Sequence, residues 1–282
     1  MHAAQFLFSD GKILKHDKLL ISPNNRSFRY GDGFFETMKW YKGKILLEQL
    51  HLERLFHTLH ILQFKPPTYF TAEYIVDAIQ QLVAKNQHHQ LARVRVTIYR
   101  GDGGIYDEQN HFPHLLVQTW TLNPMNNRLN ENGLEIDIYA AAVKQADHFS
   151  LLKSNNYLGY TMAALWAKEH HLNDAILLNP QGNIADATIA NVFIINNGTI
   201  ITPALSEGPV SGVMRRYMLK QLQERGYEVK EGIVSVDDLA NASEVFFTNA
   251  IYGMRWVKQC GKNAYSHHLV PHLYKEIFSD IF

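Results

Sequence analysis

An anion site can be assembled from three separate places in this 282-residue sequence. Arg54 lies in His51-Leu52-Glu53-Arg54-Leu55, off the main apolar stripe of its helix. Gly212-Val213-Met214-Arg215 opens a helix, where backbone N–H groups and the helix dipole favour negative charge. Thr248-Asn249-Ala250 ends a strand and can add a hydroxyl or a backbone donor. Taken singly, these read equally well as a solvated arginine, a helix cap and a strand end, and spacing alone does not make them converge. Gly101-Asp102-Gly103-Gly104 lacks the Lys-Ser/Thr of a P-loop and the spacing of a dinucleotide fingerprint, so it reads as a loop. Of the 15 histidines, His88-His89, His170-His171 and His267-His268 are adjacent pairs. Adjacent side chains point in different directions, so no metal site is expected. No H-E-x-x-H, paired C-x-x-C or G-x-S-x-G occurs.

The elements that would position these residues mix strand and helix without internal repeats. Residues 5–8 and 12–14 flank Asp10-Gly11, a hairpin signal. Residues 34–41 and 45–47 read as strands around a Lys42-Gly43 turn. A helical stripe of Leu50, Leu52, Leu55, Phe56, Leu59 and Leu62 stops before Pro66-Pro67. A second helix covers residues 72–84. Strands are expected at 93–99, where Arg93 and Arg95 share a face, and at 115–119. Residues 120–128 read as a linker. Beyond it come a strand (134–140), a helix (157–168) and a strand (175–178) ending at a turn over 180–183. A hairpin follows across Asn197-Gly198, then a helix from Ser211 to Arg225 with Gly226 at its end. Strands at 227–230 and 244–248 and a helical tail from His268 complete the pattern. The organisation expected is a smaller N-terminal α+β domain (1–119), a linker (120–127) and a larger domain (128–282) that carries Lys153.

Composition leaves few other classes open. Apolar residues make up 46% and charged residues 19%, as in a soluble globular chain. Lys plus Arg and Asp plus Glu number 27 each, so no global field attracts nucleic acid or an anionic membrane. The single cysteine, Cys260, suits a reducing cytoplasm. The first residues are neither signal peptide nor membrane span, and no apolar run of about 18 residues occurs.

Five motifs in fixed order carry a resemblance. They are R-S-F-R-Y-G-D-G-F-F-E-T from Arg26, H-L-E-R-L from His51, K-S-N-N-Y-L from Lys153, D-A-T-I-A-N-V-F from Asp186 and S-G-V-M-R from Ser211. The chain resembles the class IV aminotransferases, the fold type IV pyridoxal 5′-phosphate (PLP) enzymes. That family includes branched-chain and D-amino acid aminotransferases and aminodeoxychorismate lyases. The resemblance implies a two-domain fold with PLP between the domains, usually in a homodimer. It implies that Lys153 holds PLP as a Schiff base and moves protons at the substrate carbon. Arg54 resembles the arginine that pairs with the cofactor phosphate. Gly212, Val213 and Met214 match the helix start that donates to it, with Thr248 and Asn249 nearby. Tyr157 is similar to a tyrosine that approaches the pyridine ring. Asp186 stands where the family usually has a glutamate that pairs with the pyridine nitrogen, and it is shorter by roughly 1.5 Å of reach.

Finer features divide the subfamilies. Arg100-Gly101-Asp102-Gly103-Gly104 followed by Tyr106 looks like a lyase segment, and Gly212-Val213-Met214-Arg215 resembles the lyase version of the helix start more than the G-I-T-R of most transaminases. Thr248-Asn249-Ala250 also resembles the lyases. Phe28 and Ile105 stand where D-amino acid aminotransferases carry a tyrosine and an arginine. Arg95 falls near the substrate-binding arginine of branched-chain enzymes. Glu36 is common to both groups. Phe28, Glu36, Arg95, Arg100 and Tyr106 are therefore the expected substrate contacts, for a small amino substrate. Three activities stay open. The favoured one is a lyase converting 4-amino-4-deoxychorismate to p-aminobenzoate and pyruvate. The second is an aminotransferase of branched-chain type, and the third is a binding protein with chemistry impaired at Asp186.

Overall fold

The computed structural model describes residues 4–107, 110–279 and 281. The chain divides into two compact units. Met1–Pro124 and Lys153–Asn156 form the first, Met125–Leu152 and Tyr157–Phe282 the second.

The first unit contains β1 (Phe6–Ser9), β2 (Lys12–Lys15), α1 (Arg26–Tyr30), β3 (Gly33–Tyr41), β4 (Lys44–Ile45), α2 (Glu48–Ile61), α3 (Ala72–Lys85), β5 (Leu91–Tyr99) and β6 (His114–Thr121). Its six-stranded antiparallel sheet has the order β2-β1-β6-β5-β3-β4. Asp10-Gly11 and Lys42-Gly43 turn the two outer hairpins, with positive φ at both residues of each. Those turns match the right-handed twist of the strands they join. Alternation sends Phe34, Met38 and Trp40 of β3, with Ala92, Val94, Val96 and Ile98 of β5, into one core against α2 and α3. Phe35, Thr37 and Lys39 consequently belong to the other face.

The second unit contains β7 (Leu134–Val143), α4 (Leu158–Glu169), β8 (Asp174–Leu178), β9 (Ile184–Ala187), β10 (Asn191–Asn196), β11 (Thr199–Pro203), α5 (Val213–Glu224), β12 (Val229–Gly232), α6 (Val236–Ala240), β13 (Glu244–Asn249), β14 (Gly253–Cys260), β15 (Asn263–Ala264) and α7 (Leu269–Phe278). Its mixed sheet runs β12-β11-β10-β13-β14-β7-β8-β9, with β15 beside β14. A core of aliphatic and aromatic side chains from β7 to β14 fills one cluster, and Tyr160, Ala163 and Ala167 of α4 fill another against β8.

Several local expectations are corrected. Strand β6 continues through Trp120 and Thr121, into the expected linker. Asp186 lies within a short buried strand, β9, which the sequence pattern did not announce. Helix α5 starts at Val213 with Gly212 as its cap, two residues after Ser211. Residues 153–156 group with the first unit and not, as expected, with the second. The reason is local: Phe35 N–H donates to Lys153 O at 3.0 Å, Asn155 N–H donates to Gly33 O at 2.9 Å, and Ser154 bridges to Phe34.

Candidate active site

In the first unit, that same bridge delivers Lys153 to β3. Its Nζ lies 4.8 Å from the centroid of the Phe35 ring, and the Arg95 guanidinium carbon lies 3.6 Å from the same centroid. Two expected site residues thus meet on one aromatic ring, an arrangement that attracts cations to the π face. Arg95 Nε also donates to Thr97 Oγ1 at 3.3 Å. Lys39, on the same sheet face, is fully buried, and burial alone pushes its amine down to about 7.

On the opposite face of β3, Glu36 turns to α2. Arg54 grips it through Nε–Oε1 at 2.7 Å and Nη2–Oε2 at 2.6 Å, and His51 Nδ1 lies 2.7 Å from Oε2. Residues 51 and 54 share a helix face, so one carboxylate reaches both. Burial pushes the Glu36 carboxyl up, but Arg54 and His51 more than offset this and hold it at about 2. An ionised Glu36 requires the proton on His51 Nδ1, which makes Nε2 the acceptor. That Nε2 is buried and has no hydrogen-bond partner. Burial, outweighing Glu36, lowers the His51 pKa, and the charges of Arg54 and Lys153 add to the effect.

In the second unit, Asp186 is held by Asn191, Val210 and Tyr160. Its Oδ1 accepts from Asn191 Nδ2 at 2.8 Å, and its Oδ2 accepts from Val210 N–H at 2.7 Å and from the Tyr160 hydroxyl at 3.0 Å. Asn191 Nδ2 also donates to Val210 O at 2.8 Å, and a Cβ on Gly212 would lie 1.9 Å from Asn191 Oδ1. One amide therefore ties the carboxylate to the turn that opens α5. Tyr157 stacks on Tyr160 with centroids 4.5 Å apart and donates its hydroxyl to Thr188 O at 3.1 Å.

The start of α5 suits a phosphate on three observations. Its cap residue, Gly212, has no side chain to occupy the first N–H groups. Gly212 has no space for a Cβ. Thr248, at the end of β13 against which α5 packs, has a buried hydroxyl without a hydrogen-bond partner. Arg215 turns away, to Pro203 O at 2.8 Å and Glu231 Oε2 at 2.6 Å, so this turn offers backbone donors. Val213 and Met214 are themselves buried. The donor set fits the phosphate of PLP, and Asn191 ties Asp186 to the turn that opens α5.

Other expected contacts are used elsewhere. The Glu36 carboxylate belongs to Arg54 and His51, which places it away from a substrate role. The Arg100 guanidinium pairs with Asp32 at 2.8 Å, donates to Leu62 O and covers the Phe64 ring, so it holds the fold together. Asn249 turns its amide oxygen to the N–H groups of Ile251 and Tyr252, closing the β13–β14 turn. Phe28 and Tyr106 are 75% and 96% exposed. Sequence reasoning assigned no role to His51 or Tyr160, although each sits three residues from a residue it did choose, Arg54 and Tyr157. Among the described residues no metal-binding cluster occurs, and no helix is long and apolar enough to cross a membrane.

Comparison with known proteins gives the family and the fold. The amino-transferase class IV family model matches residues 33–260. The aminodeoxychorismate lyase of Vibrio harveyi is 29% identical over 232 residues, covering 82% of this chain and 83% of that protein. The branched-chain-amino-acid aminotransferase of Pseudomonas aeruginosa is 24% identical over 253 residues, covering 86% and 80%. In fold, the chain is similar to the Escherichia coli branched-chain amino acid aminotransferase, with a TM-score of 0.87, 20% identity, and 98% and 93% of the two chains covered. With its family motifs distributed over both units and most of its length matched, this chain belongs to the amino-transferase class IV family and is a PLP-dependent enzyme.

Proposed function

We propose that this enzyme is an aminodeoxychorismate lyase, releasing p-aminobenzoate and pyruvate from 4-amino-4-deoxychorismate. The observation that carries the reading is Met214, an apolar side chain buried in the first turn of α5 where most aminotransferases of the family resemble one another in having a hydroxyl. Phe28 and Ile105, both apolar and exposed, lack the polar groups of a D-amino acid carboxylate trap. PLP, when bound, supplies the electron sink. Lys153 is the proposed point of attachment and the proton carrier: the elimination removes a ring proton, breaks the carbon–oxygen bond to the three-carbon side chain, and protonates the departing fragment as pyruvate. Asp186 is the proposed partner of the ring nitrogen. Arg54 and the backbone of Val213 and Met214 are the proposed phosphate partners, with the Thr248 hydroxyl. Arg95, beside Lys153 on the Phe35 ring, is the proposed carboxylate clamp. Arg95 would equally serve an amino acid, and it favours aminotransfer as the second reading.

Purified enzyme incubated with 4-amino-4-deoxychorismate should form p-aminobenzoate and pyruvate in equal amounts. A parallel panel of amino acids with 2-oxo acids should show no exchange. Exchange in the panel with 4-amino-4-deoxychorismate left intact would replace the lyase reading by the second one.

A further inference from the structure

Asp186 is one methylene shorter than the glutamate usual at its position, and the groups around it differ in kind. Asn191 and the Val210 N–H are held by β10 and by the turn before α5. The third donor is a phenol from a helix. Tyr160 lies in the first turn of α4, its ring packed against Tyr157 at an interplanar angle of 30°. It is 7% exposed, and its hydroxyl proton goes to Asp186 Oδ2. Burial first, then the charge of Asp186, pushes the phenol well above its ordinary pKa, so it remains a donor at any working pH.

Lys144 lies over the same ring, its Nζ 5.8 Å from the Tyr160 centroid and 2.7 Å from Ser150 O. Burial lowers the Lys144 amine, while Asp186 and Asp147 counteract that, so its charge is felt at the carboxylate. The turn that presents Ser150 is closed by Asp147, which accepts from Ser150 N–H at 2.9 Å and from its hydroxyl at 2.7 Å. A neutral phenol therefore donates to Asp186, and a cation near the phenol's ring couples to the same carboxylate. Val210 N–H shares Oδ2 with that phenol, and Asn191 holds Oδ1. Donors on both oxygens leave a short carboxylate little freedom to rotate, and a fixed acceptor loses less entropy when a cation arrives.

We infer that Tyr160 is a positioning residue for Asp186, holding the short acid in the orientation that receives the cofactor's pyridine nitrogen. This rests on the PLP assignments proposed above. The hydroxyl contributes by fixing Asp186, and the ring contributes by filling the space beside Tyr157. Only the first contribution depends on the pyridine nitrogen.

That separation makes the inference testable by binding. Apoprotein is titrated with PLP and with 1-deazapyridoxal 5′-phosphate, which keeps the aldehyde and phosphate but has carbon in place of the ring nitrogen. The parent should prefer PLP. Tyr160→Phe should lose about tenfold of that preference, with affinity for the deaza analogue unchanged. Adding Asp186→Glu to Tyr160→Phe should restore the preference, since the longer acid reaches without the phenol. An equal loss for both ligands in Tyr160→Phe would reduce Tyr160 to packing and overturn the inference, as would an unchanged preference. A double variant that folds but regains nothing also counts against it. A parent that takes up both ligands equally overturns this inference alone, because the cofactor still binds. A parent that takes up neither overturns the cofactor assignments as well.

Discussion

At Glu36, a carboxylate, a guanidinium and an imidazole lie within hydrogen-bonding distance and out of water. Charges this buried are tolerated only while paired, and removing one partner of such a pair costs about 3–5 kcal/mol. Glu36→Gln strands the Arg54 charge and should cost stability in that range, measured by urea unfolding at pH 7. The pH dependence has a definite sign. The Glu36 carboxyl falls from 4.5 to about 2 on folding, so its contribution, about 3 kcal/mol, is complete above 4.5 and disappears as pH drops toward 2. His51 acts in the same direction: its folded pKa is lowered, so below about 6.5 the unfolded chain takes up a proton that the fold refuses. Stability should therefore fall in two stages on acidification, and Glu36→Gln should flatten the lower one. An unchanged lower stage would show that Glu36 is not the group responsible. Sequence could suggest that Arg54 and Glu36 matter, but not that they engage each other. The pairing depends on which face of β3 meets α2, and no local spacing states that.

Strand β9 and the turn before α5 show the same limit among elements. The hairpins were legible because Asp10-Gly11 and Asn197-Gly198 carry a two-residue turn signal, and α2 and α3 because their apolar stripes have helical period. Strand β9 is four residues long and buried throughout, so it has no alternation to read. The five-residue α1 and α6 are too short for a periodic signal. Motif order nevertheless singled out Asp186 and Gly212 where local pattern did not. Their connection gives a prediction about the element. Gly212→Ala drives a Cβ into Asn191, whose amide holds both Asp186 and Val210. Overpacking of this kind costs about 1–3 kcal/mol. The melting temperature should drop by several degrees and PLP affinity should fall with it. Gly232→Ala is the matched control, because nothing lies within 4 Å of its would-be Cβ and it should melt like the parent. Equal melting of the two variants would mean that Asn191 moves aside freely, and the tie between β9 and α5 would carry no energy.

For the whole molecule, composition and motif order made the family and its mixed fold legible, while the grouping of residues 153–156 was not. Backbone hydrogen bonds to β3 decide that grouping, and they join residues more than a hundred positions apart. The consequence for the cofactor can be read thermodynamically. A ligand bound only by the folded chain stabilises it by about 2.7 kcal/mol at a hundred times its Kd. In a protein of this size that is a rise of roughly 5–10 °C. PLP should raise the melting temperature in proportion to the logarithm of its concentration. Lys153→Ala should lose the visible absorbance that borohydride abolishes, yet keep part of the thermal shift, because the phosphate and ring contacts remain. Arg54 requires a background in which Glu36 is not left charged and unpaired. In Glu36→Gln protein, Arg54→Ala should move the thermal curve to PLP concentrations about 10–100-fold higher, the worth of a charge-assisted hydrogen bond. A Lys153→Ala variant that still forms the reducible chromophore would show that another lysine holds the cofactor. An Arg54→Ala curve lying on its background would confine Arg54 to its pairing with Glu36, and would leave the start of α5 and Thr248 as the phosphate's partners.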